Sequence, residues 1–226
     1  VVNSGTNRVT GTIAPDFNVG WGRVAADSAL FFVGDVKRLL LVDNTDGLGH
    51  GDAIEYQVQV VNDSSHLEVS LVWTDYPASP TSTIQLVNNL DLTVTRGANV
   101  YKGNVYTGGF SFANSGSYDA RNVEECVLVR NAPPGLYTIR IEGVNIPSGP
   151  QAFGLCITGG VGTTAGMLAL DRADYGSTSL VELKVTDTNG GPSVNVTVGS
   201  TTEPGGETVT LAGSNGIYTG TLQLSP

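Results

Sequence analysis

The sequence predicts an all-β protein. A jelly-roll β-sandwich over residues 35–160 is preceded by a short helix in residues 1–34. It is followed over 161–226 by an immunoglobulin-like β-sandwich, which is expected to be incomplete. Three observations predict this. Apolar and polar residues alternate with period two in segment after segment, which turns one face of each toward a core. Clusters of Gly, Pro, Asn, Asp and Ser punctuate those segments. After residue 34, no stretch of helical periodicity lies between them to act as a crossover for parallel strands.

The elements follow in order. Trp21, Val24, Ala25, Ser28, Ala29 and Phe32 fall at i, i+3, i+4, i+7, i+8 and i+11, which predicts a helix over 20–32. Arg23 and Asp27 stand one turn apart on it, and its Trp21, Val24 and Phe32 face is expected to pack on the first sandwich or a neighbouring molecule. Ile54, Tyr56, Val58 and Val60 alternate with Glu55, Gln57 and Gln59; Leu67, Val69, Leu71 and Trp73 alternate with Glu68, Ser70 and Val72. The same texture runs through 90–95 and 137–142, and further strands are expected at 36–42, 123–129, 152–158 and near Val100. The glycines and threonines of 159–164 read as a linker. Strands resume near Met167 and at 180–186, 194–199, 207–211 and 217–224, separated by turns at 189–192 and 204–206. About 60 residues is short against the ~100 of a full immunoglobulin domain, hence the expectation of missing strands.

Composition excludes several classes. The chain has 226 residues, 40% of them hydrophobic, enough for a sizeable core. Its formal charge of −10 argues against a nucleic-acid binder, which needs a basic stripe to displace counterions. No run approaches the ~20 apolar residues of a membrane span. Residues 1–7 lack the basic and apolar regions of a signal peptide, so any export signal is expected upstream. Charged residues make only 14%, against about 25% in a typical soluble domain, and the polar positions are mostly Ser, Thr, Asn and Gly. This surface points to an extracellular or cell-surface protein. With Cys126 and Cys156 as the only cysteines there is neither a disulfide framework nor zinc-ligand spacing, and one bridge or two buried thiols remain open.

Two stretches carry a resemblance. Gly20-Trp21-Gly22-Arg23-Val24, continued to Leu30, is similar to the last helix of a subtilisin-like protease domain. Leu71-Val72-Trp73-Thr74-Asp75-Tyr76-Pro77 and Leu86-Val87-Asn88-Asn89-Leu90-Asp91-Leu92 are followed by Tyr101-Lys102-Gly103-Asn104, Arg121-Asn122-Val123-Glu124, Gly135-Leu136-Tyr137-Thr138 and Asn145-Ile146-Pro147. In order and rough spacing these resemble the β-sandwich behind the catalytic domain of the oxidatively stable alkaline proteases of bacilli. The match covers about residues 1–158. It implies a non-catalytic C-terminal region of a secreted subtilisin-like serine protease, whose partner is the catalytic domain upstream. Such catalysis needs a Ser nucleophile, a His base and an orienting Asp. Of the two histidines, His50 lies in Asp46-Gly47-Leu48-Gly49-His50-Gly51-Asp52, a turn between strands without the rest of the protease His motif, and His66 opens a strand on its polar face. No catalytic residue is expected in this chain.

Other sites can still be read. Asp91, Asp119, Asn122 and Glu124, with Glu125, Asn88 and Asn89, concentrate oxygen ligands in loops and strand ends. Hard cations need six to eight such oxygens, and the resemblance favours calcium. The alternative is a set of Asx turns feeding strands. A free-standing adhesion or carbohydrate-binding protein is the other functional class. Its aromatic platform would have to come from Tyr101, Tyr106, Phe110, Phe112 and Tyr118, with core closure the competing use. Asn62-Asp63-Ser64 and Asn195-Val196-Thr197 are glycosylation sequons, meaningful in a eukaryotic secretory host.

Overall fold

The computed structural model describes residues 2–6, 14–16, 18–32, 35–162, 167–172, 174–187, 191–199, 205–214 and 217–225. Its centre is a two-sheet sandwich. One sheet runs β10 (Glu124–Val129), β5 (Leu67–Val72), β12 (Gln151–Gly159), β3 (Arg38–Leu48). The facing sheet contains β7 (Asn99–Lys102), β6 (Asn89–Arg96), β11 (Gly135–Asn145) and β4 (Ala53–Val60), in that order. All pairings are antiparallel. Taking these eight strands in chain order, the first, eighth, third and sixth share one sheet and the second, seventh, fourth and fifth the other. This is the double Greek key of a jelly roll. The short hairpin of β8 (Tyr106–Thr107) and β9 (Phe110–Ser111) sits between β7 and β10.

The alternation in the sequence becomes the core. Val58, Val60, Leu67, Val69, Leu71, Leu90, Leu92, Val94, Val127, Ile139, Ile141 and Ile157 are buried between the sheets. Each large apolar side chain so buried contributes about 1.5–3 kcal/mol. The polar ends of buried aromatics are satisfied: Trp73 Nε1 donates to the Asn88 carbonyl at 3.0 Å and the Tyr137 hydroxyl to that of Pro133 at 3.0 Å.

The N-terminal segment departs from expectation. Arg23–Val24 is not helical but forms β2, paired with β1 (Gly5–Thr6), and α1 covers only Ala26–Ala29. The reason is local. Gly20 and Gly22 hold φ of 55° and 91°, outside the helical region, and Ala25 offers no side-chain cap. Strand pairing satisfies the backbone that a helix of this length could not stabilise alone. Arg23 and Asp27 therefore do not share a helix face. Trp21 packs edge-on against Tyr106, with ring centroids 6.1 Å apart, but Val24 and Phe32 are exposed.

The same segment plugs the outer face of the β10–β5–β12–β3 sheet. Asn3 is buried there and donates to the Glu68 and Cys156 carbonyls and to Thr158 Oγ1, while Ser70 Oγ donates to its Oδ1. Cys126 and Cys156 flank this point. Both pair in register with Ser70 on β5, so a strand separates them. Two strand spacings are about 9.5 Å, beyond the ~7 Å a disulfide spans, and both thiols are free.

Residues 167–223 add β13 (Met167–Leu170), β14 (Leu180–Thr186), β15 (Ser193–Val198), β16 (Glu207–Ser214) and β17 (Ile217–Gln223). They carry their own apolar cluster around Val181, Leu183, Val185, Leu211 and Tyr218. Strand β13 pairs with β4 on one side and β14 on the other, so the second unit continues the jelly roll's sheet into one of nine strands. Residues 163–166 of the expected linker, residues 189–190 of one turn and Pro204 of the next lie outside the described residues.

Candidate metal centre

The edge of the sandwich where β6, β7 and β10 meet gathers the acidic residues singled out in the sequence. Asp91 lies on β6, opposite Glu142 of β11, and is 8% exposed. Its Oδ1 accepts from Asn89 Nδ2 at 3.1 Å. Burial, with the charges of Glu142 and Asp119, pushes its carboxyl up to about 6. Glu125, on β10, is fully buried. Its Oε2 accepts the Leu92 backbone N–H at 2.6 Å, and Oε1 has no hydrogen-bond partner. Burial, reinforced by Asp91 and Asp119, raises it to about 9. Gly103 makes the room: a Cβ there would stand 2.2 Å from Glu125 Oε2.

Asp119 closes the cluster from the loop before β10. Its Oδ1 accepts the backbone N–H of Arg121 at 2.8 Å, and its Oδ2 accepts from Asn104 Nδ2 at 2.7 Å and Asn122 Nδ2 at 2.5 Å. Burial acts against ionisation, but these hydrogen bonds outweigh it and hold the carboxyl below its ordinary value. Glu124 is half-buried and raised, by burial and then by Asp119.

Asn104 ties the group together and was not among the candidate ligands read from the sequence. Its backbone sits at φ 60°, its Oδ1 accepts the Cys126 N–H at 3.0 Å, and its Nδ2 reaches both Asp119 and the Glu124 carbonyl. The signal that could have found it is the Gly103-Asn104 pair, where Asn tolerates the left-handed backbone that ends a strand. Asn88, by contrast, is committed elsewhere. Its carboxamide bonds Ser148 and Gln151, and its N–H is held by Asp75.

Among the described residues, no three His, Cys, Asp or Glu side chains form a group that could hold a metal ion by themselves. Calcium, however, draws also on carboxamide and backbone oxygens. Two buried acceptor oxygens here, Asn89 Oδ1 and Glu125 Oε1, lack a donor. Buried acceptors without donors cost about 1–3 kcal/mol each. Together with two carboxyls whose ionisation is suppressed by desolvation, they suit a group of positive charge. Oxygens of this kind are the ligands a hard cation takes.

The other candidates fall apart. His50 is on an exposed turn after β3. His66 is half-buried: its Nδ1 accepts the Asn131 N–H at 3.0 Å, and its ring meets Phe110 edge-on at 5.0 Å. Burial, then the Arg130 charge, lowers its pKa. Of the five aromatic residues weighed as a sugar platform, Phe112 and Tyr118 are exposed. The Tyr106 hydroxyl is turned inward onto the Cys126 carbonyl, and Phe110 is taken by His66 and Arg130.

Comparison with known proteins gives one direction. No protein-family model matches the chain. Over 110 residues, 46% of its length, the chain is 36% identical to the serine protease/ABC transporter B family protein tagA of Dictyostelium discoideum. It spans about 6% of that relative's length. The jelly roll and its acidic edge thus stand in a chain that is similar, in part, to a protein named as a serine protease.

Proposed function

We propose that the chain is the non-catalytic C-terminal region of a secreted subtilisin-like serine endopeptidase, where it braces the catalytic domain. The observation that carries this reading is the partial likeness to a relative named as a serine protease. The motifs Gly20-Trp21-Gly22-Arg23-Val24 and Leu86 to Leu92 support it from the sequence side. Catalysis belongs to a domain outside these 226 residues, so the purified chain hydrolyses no casein. Deleting 35–226 from the longer gene product shortens its half-life at elevated temperature. Inhibitor-sensitive hydrolysis by the chain itself, or an unchanged half-life after deletion, overturns the reading.

Calcium belongs to the same proposal. Asp91, Asp119, Asn122 and Glu124 would hold it, with Asn89 Oδ1 and Glu125 Oε1 as the further oxygens. The ion would supply the positive charge that this desolvated edge lacks and tie the β6 end to the loop before β10. Binding only the folded state stabilises it by about 2.7 kcal/mol at a hundredfold excess over Kd. Calorimetric titration should show heat on adding Ca²⁺, with a rise in Tm that Asp91→Asn abolishes. No heat and no change in Tm at millimolar Ca²⁺ removes the ion from the proposal.

A further inference from the structure

Beside β3 lies a strand-shaped slot. Among the described residues β3 pairs with β12 on one side and has no strand on the other. The opposite sheet does not stop there. It runs on from β4 through β13, β14 and β17, so that its inner face projects past the edge of β3. The result is a groove of about 680 Å³ with the β3 edge as its wall, from Leu41 to Asp46. The floor is one register row after another: Tyr56, Ala169, Lys184 and Thr219, then Glu182 and Thr221. Side chains of β3 on both sides of its pleat line the wall. Val42 and Asn44 turn toward the core side, and Leu41, Asp43 and Thr45 are exposed. The first sheet ends at β3, while the floor continues through β13, β14 and β17.

We propose that this slot is a binding site for an extended peptide with basic residues at alternate positions, which adds to β3 as a fifth strand of the first sheet. Two features select that occupant. An open strand edge offers backbone donors and acceptors that only another extended backbone satisfies in series. The charges in the slot favour a cationic one: Asp171 is paired with Arg172, which leaves Asp43, Asp46 and Glu182 against Lys184. A second copy of this chain is a poorer occupant, because each carries a formal charge of −10. Peptide side chains on one face would lie over Ala169 and Thr219, and lysines or arginines on the other face would reach Asp43, with Asp46 and Glu182 adding to the negative charge of the slot. The proposal does not rest on the protease reading.

The probe is a fluorescein-labelled Lys-Val-Lys-Val-Lys-Val-Lys peptide, followed by anisotropy with the whole chain. Two control peptides accompany it: Glu in place of Lys, and the Lys peptide N-methylated at each Val. The Lys peptide should saturate and bind at least about tenfold more tightly than either control. On binding, amide exchange should slow at 41–46. Asp43→Lys with Glu182→Lys, and separately Thr219→Trp, which fills the floor, should each weaken binding by about tenfold or more with Tm unchanged. All three altered positions are exposed, so these variants should fold. Equal binding of the N-methylated peptide would reduce the interaction to diffuse charge attraction and overturn the proposal. So would no saturation at millimolar peptide, protection elsewhere than 41–46, or sedimentation of a dimer that Thr219→Trp dissolves.

Discussion

Glu68 shows how one buried acid can set the pH response of the sheet beneath the N-terminal segment. It lies on the outer face of β5 next to Lys37 and Thr158, and burial pushes it up from 4.5 to about 7. The folded value exceeds the unfolded one, so between pH 4.5 and 7 the native chain holds a proton that the unfolded chain has released. Stability from this group is complete below that window and is lost as pH rises through it. A shift of this size corresponds to about 3 kcal/mol at most, because Lys37 and partial exposure soften the penalty. In urea melts from acid to mildly alkaline pH, Glu68→Gln should therefore gain stability relative to the native chain as pH rises. A constant difference would contradict the assignment. His66 works in the opposite direction: its pKa is lowered, so it favours the folded state above the imidazole range and weakens it below. At the acidic edge, Gly103→Ala should cost about 2 kcal/mol or more, since the new Cβ meets Glu125 Oε2 at 2.2 Å and its Cβ at 2.7 Å. Chemical denaturation reads this directly.

At the scale of elements, strands and helix behaved differently because they draw stability from different places. Period-two runs such as 54–60 and 67–72 are half-buried by construction, and the core they imply is the core that forms. The bounds 180–186 are the same in both readings. The run 20–32 also had a periodic apolar face, but periodicity does not supply caps or a surface to pack on. Two glycines at positive φ and the chance to pair with Gly5–Thr6 were enough to make Arg23–Val24 a strand. Strand order decided the cysteines as well. Cys126 and Cys156 each sit on a strand, but β5 runs between them, with Ser70 Oγ 3.1 Å from Cys126 Sγ. Alkylation of the unfolded chain without reductant should add two adducts, measured by mass. An unreactive chain would mean that the strands are not arranged as described.

The whole molecule is organised by its shared sheet. Because β13 pairs with β4 at Tyr56↔Ala169, the second unit covers an edge that the jelly roll would otherwise expose along Ala53–Val60. Uncovered edges of this kind template association. A chain ending at residue 160 should therefore keep the jelly-roll core, melt at a lower temperature and self-associate as concentration rises. Light scattering and thermal melts of the two forms test this, and a monomeric fragment with unchanged Tm would show that the β4–β13 pairing adds nothing.

The sequence by itself determined the all-β class, nearly every strand of the sandwich and the residues of its core, because alternation is a local property that burial then enforces. It also brought Asp91, Asp119, Asn122 and Glu124 to notice, as a concentration of oxygen ligands. Only the tertiary structure decided that Asp91, Asp119 and Glu125 share one desolvated edge, that Asn104 ties it together and that Asn88 does not belong to it. Only the tertiary structure decided that the second unit extends the facing sheet, through β4, and leaves a slot beside β3. Both depend on which strands become neighbours. That is settled by the free energy of closing the whole core, and local spacing carries no record of it.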